Sequence, residues 1–344
     1  MNSSTKVEGS SSSQGALSLG AVERRQAIDW GMWLSRYGTI VSLALLVVGF
    51  SIARPDVFAT ELNFMNILNQ ASILLVISAG LTVCLVMGQY DLSISAVATL
   101  ANYTVCALLV MQGNSAMIWP TIAAVAGLCL MVGIISGAIV SYLGVSAFIG
   151  TLAMGSILTG VVLGYSQSRT IIGGIPDGFL ALGQQSTLGI PNPVIIMLVV
   201  VFGLWLLLEH TQFGRNLYAI GGNPEAAKLS GIAVKRYALL ALGISAVCAG
   251  IGGMIAAANL GAGRPVGVGD AYLLNAFAAS FIGASTLRPG QFHILGTLVG
   301  VLIIGVISNG LSIIGVPTYW QYIVQGALLI VAMFGAGIVA NRKA

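Results

Sequence analysis

The sequence predicts an all-α protein that crosses a membrane about ten times. Hydrophobic residues make up 57% of the chain and charged residues only 7%, and the mean hydropathy is +0.97. A soluble domain carries about 25% charged residues, so this composition excludes one. Ten apolar runs approach the roughly 20 residues that a helix needs to cross a hydrocarbon core about 30 Å thick.

The chain begins with a polar segment. Residues 1–36 are rich in serine, which predicts a cytoplasmic disordered tail followed by an interfacial segment around AIDWGMWLSRYG. No short apolar stretch precedes a small-residue cleavage site, so we do not expect a cleavable signal peptide. A transmembrane domain is predicted over residues 37–340.

The predicted spans follow one another closely along that domain. They are residues 38–53, 67–88, 92–111, 118–143, 146–165, 190–208, 238–260, 271–286, 293–311 and 319–338. The eighth is short enough to be a half-helix or a re-entrant segment. Three motifs, GIISG (133–137), GVVLG (160–164) and GTLVG (296–300), have the small-residue spacing that lets helices approach closely in lipid. They predict dense helix packing.

The basic residues predict the orientation, because positive charge is retained on the cytoplasmic side. With a cytoplasmic N-terminus, eleven of the 14 Lys and Arg residues fall inside and three, Arg54, Arg169 and Arg264, fall outside. The eleven are Lys6, Arg24, Arg25, Arg36, Arg215, Lys228, Lys235, Arg236, Arg288, Arg342 and Lys343. This count predicts that both termini, and the loop of residues 209–237, lie in the cytoplasm.

The residues that carry enzyme or metal chemistry are sparse. There is no phosphate-binding loop (Lys228 follows alanine rather than glycine), no HExxH or GxSxG motif and no Cys/His cluster. The four cysteines, Cys84, Cys106, Cys129 and Cys248, lie singly in apolar runs and are predicted to be core side chains. The two histidines, His210 and His293, lie on loops or at span ends. We therefore predict no enzyme activity and no cofactor or metal.

The cytoplasmic loop concentrates charge in an otherwise apolar chain. Within it, GGNPEAAKLSG (221–231) predicts a short helix with Asn223 as N-cap, Pro224 in the first turn and Gly231 just past its end. A helix of about seven residues is marginal in water, so the membrane surface, its own spans or a partner must hold it. It is either a capped connector or a peg that docks into another subunit.

The stretch GRNLYAIGGNPEAAKLSGIAVKR (214–236) resembles the cytoplasmic coupling segment of ribose-type permeases of ATP-driven ABC importers. The likeness runs from about residue 62 to 338. Its other carriers are YDLSIS (90–95), AFIGTL (147–152), HTQFGR (210–215), IGASTL (282–287) and GTLVGVLIIGVISNGLSIIGV (296–316).

The resemblance implies an ABC importer permease fold in a bacterial inner membrane, and import of a monosaccharide or related polyhydroxylated solute. The implied partners are cytoplasmic ATPase subunits, a second copy or a paralogue of the permease, and a periplasmic sugar-binding protein. We expect membrane lipid around it and no nucleic acid. The residues implied to couple to the ATPase are Gly221, Gly222, Asn223, Pro224, Glu225, Ala226, Ala227, Leu229, Ser230 and Gly231.

Two stretches depart from the family pattern. GASTLRPGQFH (283–293) has Arg288, Pro289 and His293 where the family has a glycine-rich turn. YDLSIS has Tyr90 in place of the usual Ile, and Ser95 is followed by Ala96 where Gly-Ser is common.

Neutral polar residues in or near the spans are the candidates for a solute path. Most are predicted to hydrogen-bond between helices, and a minority to line a path suited to hydroxyl groups. The path candidates are Asn69, Asp91, Asn102 and Asn275, with Gln70, Tyr103 and Gln325 in similar settings. Asp91 is either an ion relay or the N-cap of the third span assisted by Ser93, and a lone acid favours the cap.

An ion-coupled secondary carrier acting alone is the alternative function. Such carriers place paired ionisable groups near the membrane midplane, and Asp91 is the only acid near mid-span. A membrane enzyme ranks third, since the chain lacks a nucleophile, a metal set or an acid pair.

Overall fold

The computed structural model describes the backbone of residues 30–341 and the side chains of residues 37–331. This part of the chain is a helical bundle with two small two-stranded sheets. The helices are α1 (Trp30–Ala53), α2 (Pro55–Phe58), α3 (Glu61–Val86), α4 (Ile94–Gln112), α5 (Ile118–Tyr142), α6 (Ala147–Ser166), α7 (Asp177–Gln184), α8 (Asn192–His210), α9 (Gln212–Gly222), α10 (Pro224–Leu229), α11 (Val234–Leu260), α12 (Asp270–Ala284), α13 (Ile294–Ile313) and α14 (Thr318–Asn341). A single 3-10 turn, Ser115–Met117, precedes α5.

The strands lie in the loops. β1 (Ile171–Ile172) pairs antiparallel with β4 (Ala262–Gly263), and β2 (Ser186–Thr187) pairs antiparallel with β3 (Ile190–Pro191). The first pair joins the α6–α7 connection to the end of α11.

Each predicted span coincides with a helix, and the all-α membrane fold is confirmed. Among the described residues seven helices, α3, α4, α5, α6, α8, α11 and α13, are long and apolar enough to cross a membrane. The described apolar part of α1 is shorter, at Tyr37–Ala53, and α12 has 15 residues. Several side chains of α14 lie outside the described range. The count of ten spans therefore stays a prediction.

Several boundaries differ from the predicted ones. α3 begins at Glu61 rather than near residue 67, because the side chain of Thr60 accepts a hydrogen bond from the Asn63 amide and caps the helix there. α1 begins at Trp30 and continues without a break to Ala53, so the expected interfacial segment is joined to the first span from residue 30 onward. Residues 1–29, which include the predicted disordered tail, lie outside the described residues.

The bundle is built around α3 and α11, where small residues bring backbones together. A Cβ added to Gly253 of α11 would lie under 3.0 Å from the Ala98 carbonyl of α4, and one at Gly133 of α5 would lie 2.5 Å from the Leu242 carbonyl of α11. Gly300 packs equally closely on Ala279. GIISG and GTLVG thus mediate dense packing as predicted.

The third motif behaves differently. Gly160 and Gly164 of GVVLG would meet no atom within 4 Å. This face of α6 has no close neighbour in the described part of the chain.

The cysteines and histidines lie where the sequence predicts. All four cysteines are free and buried in the core, and the Cβ of Cys248 packs on Gly80 of α3. His210 is the last residue of α8, and His293 directly precedes α13.

The first turns of α4 and α12 are joined by hydrogen bonds. Ser95 Oγ, in the first turn of α4, donates a hydrogen bond of 2.6 Å to Asp270 Oδ1 in the first turn of α12, and the Gly269 amide donates to Thr99 Oγ1 at 3.0 Å. At 15 residues, α12 is about 22 Å long, shorter than the hydrocarbon core. This length agrees with the expectation that the eighth span is a half-helix or a re-entrant segment.

Candidate functional site: a short exposed helix and a polar cavity

Residues 209–237, predicted as a loop, are largely helical. The Thr211 side chain accepts from the Gly214 amide at 3.4 Å and caps α9, and Asn223 Oδ1 accepts from the Ala226 amide at 3.0 Å and caps α10. Gly231 has φ +84°, the left-handed conformation that favours glycine. The predicted cap and end of the short helix are confirmed, and the helix has six residues.

The spans of the chain itself hold this segment in place. The rings of Phe213 in α9 and Tyr237 in α11 stack with centroids 5.4 Å apart, and the Asn216 side chain donates to the Tyr237 hydroxyl. Gly221 lies directly against the Val86 carbonyl at the end of α3. α9 is therefore fixed on the C-terminal end of α3 and the N-terminal end of α11.

The two faces of α10 differ sharply. Ala227 is only 4% exposed and packs into the core of the chain, so our expectation that Ala227 meets a partner is not supported by its burial. Leu229 is 88% exposed, although leucine is strongly apolar. The other exposed side chains from residue 223 to residue 230 are Asn223, Pro224, Glu225, Ala226, Lys228 and Ser230.

Basic residues lie on α10 and at the start of α11. Lys228, Lys235 and Arg236 line a cavity of about 440 Å³, together with Glu225. Lys235 Nζ lies 5.3 Å from the centroid of the Tyr142 ring. The segment thus presents an apolar side chain with cations beside it.

Two of the predicted path residues are buried and paired within the chain. Asp91 is 1% exposed, and its Oδ1 accepts from the Ser93 amide at 2.9 Å and from Ser93 Oγ at 2.6 Å. Ser93, not Asp91, is the N-cap residue of α4. Asp91 therefore fixes the turn before the helix, a correction to its predicted position as the cap itself.

Asn102 joins three parts of the bundle. Its side chain is fully buried, donates to the Gly253 carbonyl of α11 at 3.3 Å and accepts from the Arg264 amide at 2.8 Å. These bonds support the segment that leads into α12.

Asn275 lies in the wall of a cavity of about 300 Å³ between α3, α11, α12 and α13. Its Nδ2 donates to the Ala271 carbonyl at 2.9 Å, whereas its buried Oδ1 has no hydrogen-bond partner among the described residues. The cavity's polar walls are Gln70, Asn259, Tyr272, Asn275 and Ser308.

Asn69 precedes Gln70 on α3 and does not line this cavity, although its own buried Oδ1 also lacks a partner in the described part of the chain. Sequence reasoning singled out Asn275 but not its grouping with Asn259 and Ser308. That grouping depends on which sides of four helices face one another.

Comparison with known proteins shows which family the chain belongs to. Residues 63–333 match the family model described as branched-chain amino acid transport system / permease component. The chain belongs to this permease family. It is a transport subunit rather than an enzyme, and a multi-pass protein of the bacterial inner membrane.

The permease is also similar to individual sugar permeases along most of its length. It is 35% identical to the D-allose transport system permease protein AlsC of Escherichia coli K12, over 90% of this chain and 94% of that one. It is 35% identical to the ribose import permease protein RbsC of Bacillus subtilis 168, over 87% and 92%. It is 33% identical to the galactose/methyl galactoside import permease protein MglC of E. coli K12, over 89% and 95%. No solved structure matches.

Proposed function

We propose that this permease is the membrane-spanning subunit of an ATP-driven importer for a monosaccharide or a related small polyhydroxylated solute. Relatives named for allose, ribose and galactose align with about nine-tenths of the chain. The observation that carries the mechanism is α10, a capped helix that is held on its own spans and exposes Leu229. Its partners are cytoplasmic ATPase subunits, a second permease copy or a paralogue, and a periplasmic sugar-binding protein.

The segment from Gly221 to Gly231 has the properties of a docking peg. An exposed leucine on a rigid helix can fill a pocket of a partner, and buried apolar anchors dominate the energy of protein interfaces. α9 and α10 pack on the ends of α3 and α11. A displacement of α10 by the ATPase would therefore also move those two spans. In this proposal Ala227 packs α10 against the permease, and Leu229 inserts into a pocket of the ATPase.

The polar cavity is our candidate for part of the solute path. Amide and hydroxyl groups facing hydrocarbon cost several kcal/mol each, so walls that include Gln70 and Asn275 favour contact with water, solute or a second permease. The volume of about 300 Å³ is at the small end for ligand sites. Asn69 precedes Gln70 on α3, and Asn102 joins α4 to α11, which forms one wall of the cavity. Asp91 fixes the turn before α4.

The chemistry of the walls favours a sugar over an amino acid. An amino acid carries an ammonium and a carboxylate, which need charged partners when they leave water. None of the described residues that line this cavity is charged. Hydroxyl groups need only neutral donors and acceptors, which Asn259, Asn275 and Gln70 supply.

We also propose that both termini and residues 209–237 face the cytoplasm, on the basis of the distribution of Lys and Arg. Gln184 and Ser230 are both exposed and lie on opposite sides in this arrangement. In a variant whose four buried cysteines are replaced by alanine, a cysteine at position 184 should react with a membrane-impermeant maleimide in cells with a permeabilised outer membrane. A cysteine at position 230 should react only after the inner membrane is opened. Labelling of position 230 in sealed cells would reverse the orientation.

Replacing Asn275 by leucine is expected to lower ATP-driven sugar uptake about tenfold, roughly the effect of one lost hydrogen bond. The complete complex in proteoliposomes, with ATP and a sugar-loaded binding protein, provides the measurement. Asn275→Gln keeps the amide and should retain more activity than Asn275→Leu. Unchanged uptake by the leucine variant would remove this cavity from the path.

The same vesicles test the alternative function. Without ATPase subunits, a proton or sodium gradient should drive no uptake. Gradient-driven uptake by the permease alone would favour the secondary carrier.

A further inference from the structure

An ion pair joins the loop between α12 and α13 to the end of α8. Arg288 Nη1 lies 2.7 Å from Glu209 Oε2 and 2.9 Å from Glu209 Oε1. The Glu209 side chain is 15% exposed and that of Arg288 is 50% exposed. Arg288 belongs to the stretch 283–293, between the end of α12 and the start of α13.

Tyr218 of α9 joins the same cluster. Its hydroxyl is positioned to donate to Glu209 Oε1 and to the Phe292 carbonyl, each at 3.2 Å. Burial, together with the adjacent Glu209 carboxylate, raises the pKa of Tyr218, so the phenol keeps its proton and acts as a donor at neutral pH. The cluster thus connects α8, α9 and the α12–α13 loop.

The helices on either side of this loop, α12 and α13, pack closely as one unit. Gly283 of α12 and Gly296 of α13 are in backbone contact, and Gly300 meets the Ala279 carbonyl one layer further in. The rings of Phe281 and Phe292 also pack edge to face, with centroids 5.2 Å apart. Such contacts leave little room for α12 and α13 to slide separately.

This unit contributes to the polar cavity. Asn275 lies on α12 and Ser308 on α13, and both line its wall. A displacement of the α12–α13 loop would therefore change the cavity.

We infer that Glu209, Tyr218 and Arg288 form a latch through which movement of α9 and α10 is passed to the α12–α13 pair and hence to the solute cavity. The inference rests on the proposed coupling role of the cytoplasmic segment. The three are positioning residues, since none lines the cavity. The Arg288 side chain is half exposed, so water can solvate its guanidinium when the pair opens, and the Tyr218 hydroxyl remains beside the Glu209 carboxylate. Such a contact can change during a transport cycle.

Charge exchange tests the latch in the complete complex in proteoliposomes. The variants are Glu209→Arg, Arg288→Glu and the double exchange, and the measured quantity is solute taken up per ATP hydrolysed. Each single variant should lower this ratio about fivefold or more, the lower end of coupling effects between sites. The double exchange should recover most of the ratio. Tyr218→Phe should lower it less, because the ion pair remains.

Arg169→Glu is the control, since it reverses an exposed charge in the connection between α6 and α7, outside the coupling segment and the latch. It should leave uptake per ATP unchanged. The latch is contradicted if the single variants transport normally per ATP, or if the double exchange is no better than they are. Loss of the ATPase from the Arg288→Glu complex would also overturn it, because Arg288 would then be a direct partner contact.

The latch and the docking peg can fail separately. If a charge at position 229 leaves the ATPase bound while the charge exchange restores coupling, the peg proposal falls and the latch remains. If the reverse is found, only the latch falls.

Discussion

Replacing Gly221 by alanine is expected to displace the coupling segment and to destabilise the permease, whereas the same change at Gly222 should do neither. A Cβ at Gly221 would overlap the Val86 carbonyl at the end of α3, and one at Gly222 would meet nothing within 4 Å. Overpacking against backbone costs about 1–3 kcal/mol. That exceeds the gain of up to about 1 kcal/mol that alanine brings over glycine within a helix.

The adjacent positions make this a matched pair. Thermal unfolding of the purified protein in detergent should show a lower midpoint for Gly221→Ala, and an equal or higher one for Gly222→Ala. The amount of ATPase that co-purifies should follow the same order. Equal midpoints for the two variants would show that α9 does not depend on its contact with α3.

Much of the helical architecture could be predicted because it depends on local sequence. Each apolar run marks a helix, since the backbone must satisfy its own hydrogen bonds in lipid. The limits of α10 were also predictable, because Asn223 and Gly231 act through neighbouring residues. α7 and the separate helix α9 were missed, because short helices depend on packing more than on propensity.

The tertiary arrangement of the polar residues could not be predicted. When nearly every side of a helix is apolar, periodicity does not show which side faces the core. The sequence therefore could not place Asn275 in a cavity wall while Asp91 and Asn102 are buried and paired. Nor could it show that Ala227 turns inward, because a one-residue step on a helix rotates a side chain by about 100°.

The contact between Glu209 and Arg288 also lay beyond sequence reasoning. The residues are 79 positions apart, and neither lies in a pattern that specifies a partner. The one available signal was that Arg288 departs from the glycine-rich turn expected from the resemblance.

Replacing Leu229 by glutamate is expected to separate the permease from its ATPase without unfolding it. The side chain is 88% exposed, so few contacts within the chain are lost. An apolar anchor at the centre of an interface typically contributes at least about 2 kcal/mol, and a charge placed in an apolar pocket adds a desolvation cost. We therefore expect affinity for the ATPase to fall about 30-fold or more.

Leu188→Glu is the control for this change. Leu188 is 97% exposed in the loop between β2 and β3, on the side of the membrane predicted to be opposite. The Leu188→Glu substitution introduces the same charge as Leu229→Glu, at a leucine that is similarly exposed. ATPase binding should be unaffected.

Co-purification of tagged ATPase with each permease variant, at equal levels of folded permease in the membrane, tests most directly whether α10 is the docking peg. The expected result is ATPase recovered with the wild-type protein and with Leu188→Glu, and little or none with Leu229→Glu. Full recovery of ATPase with Leu229→Glu would contradict the proposal and leave α10 as a connecting helix.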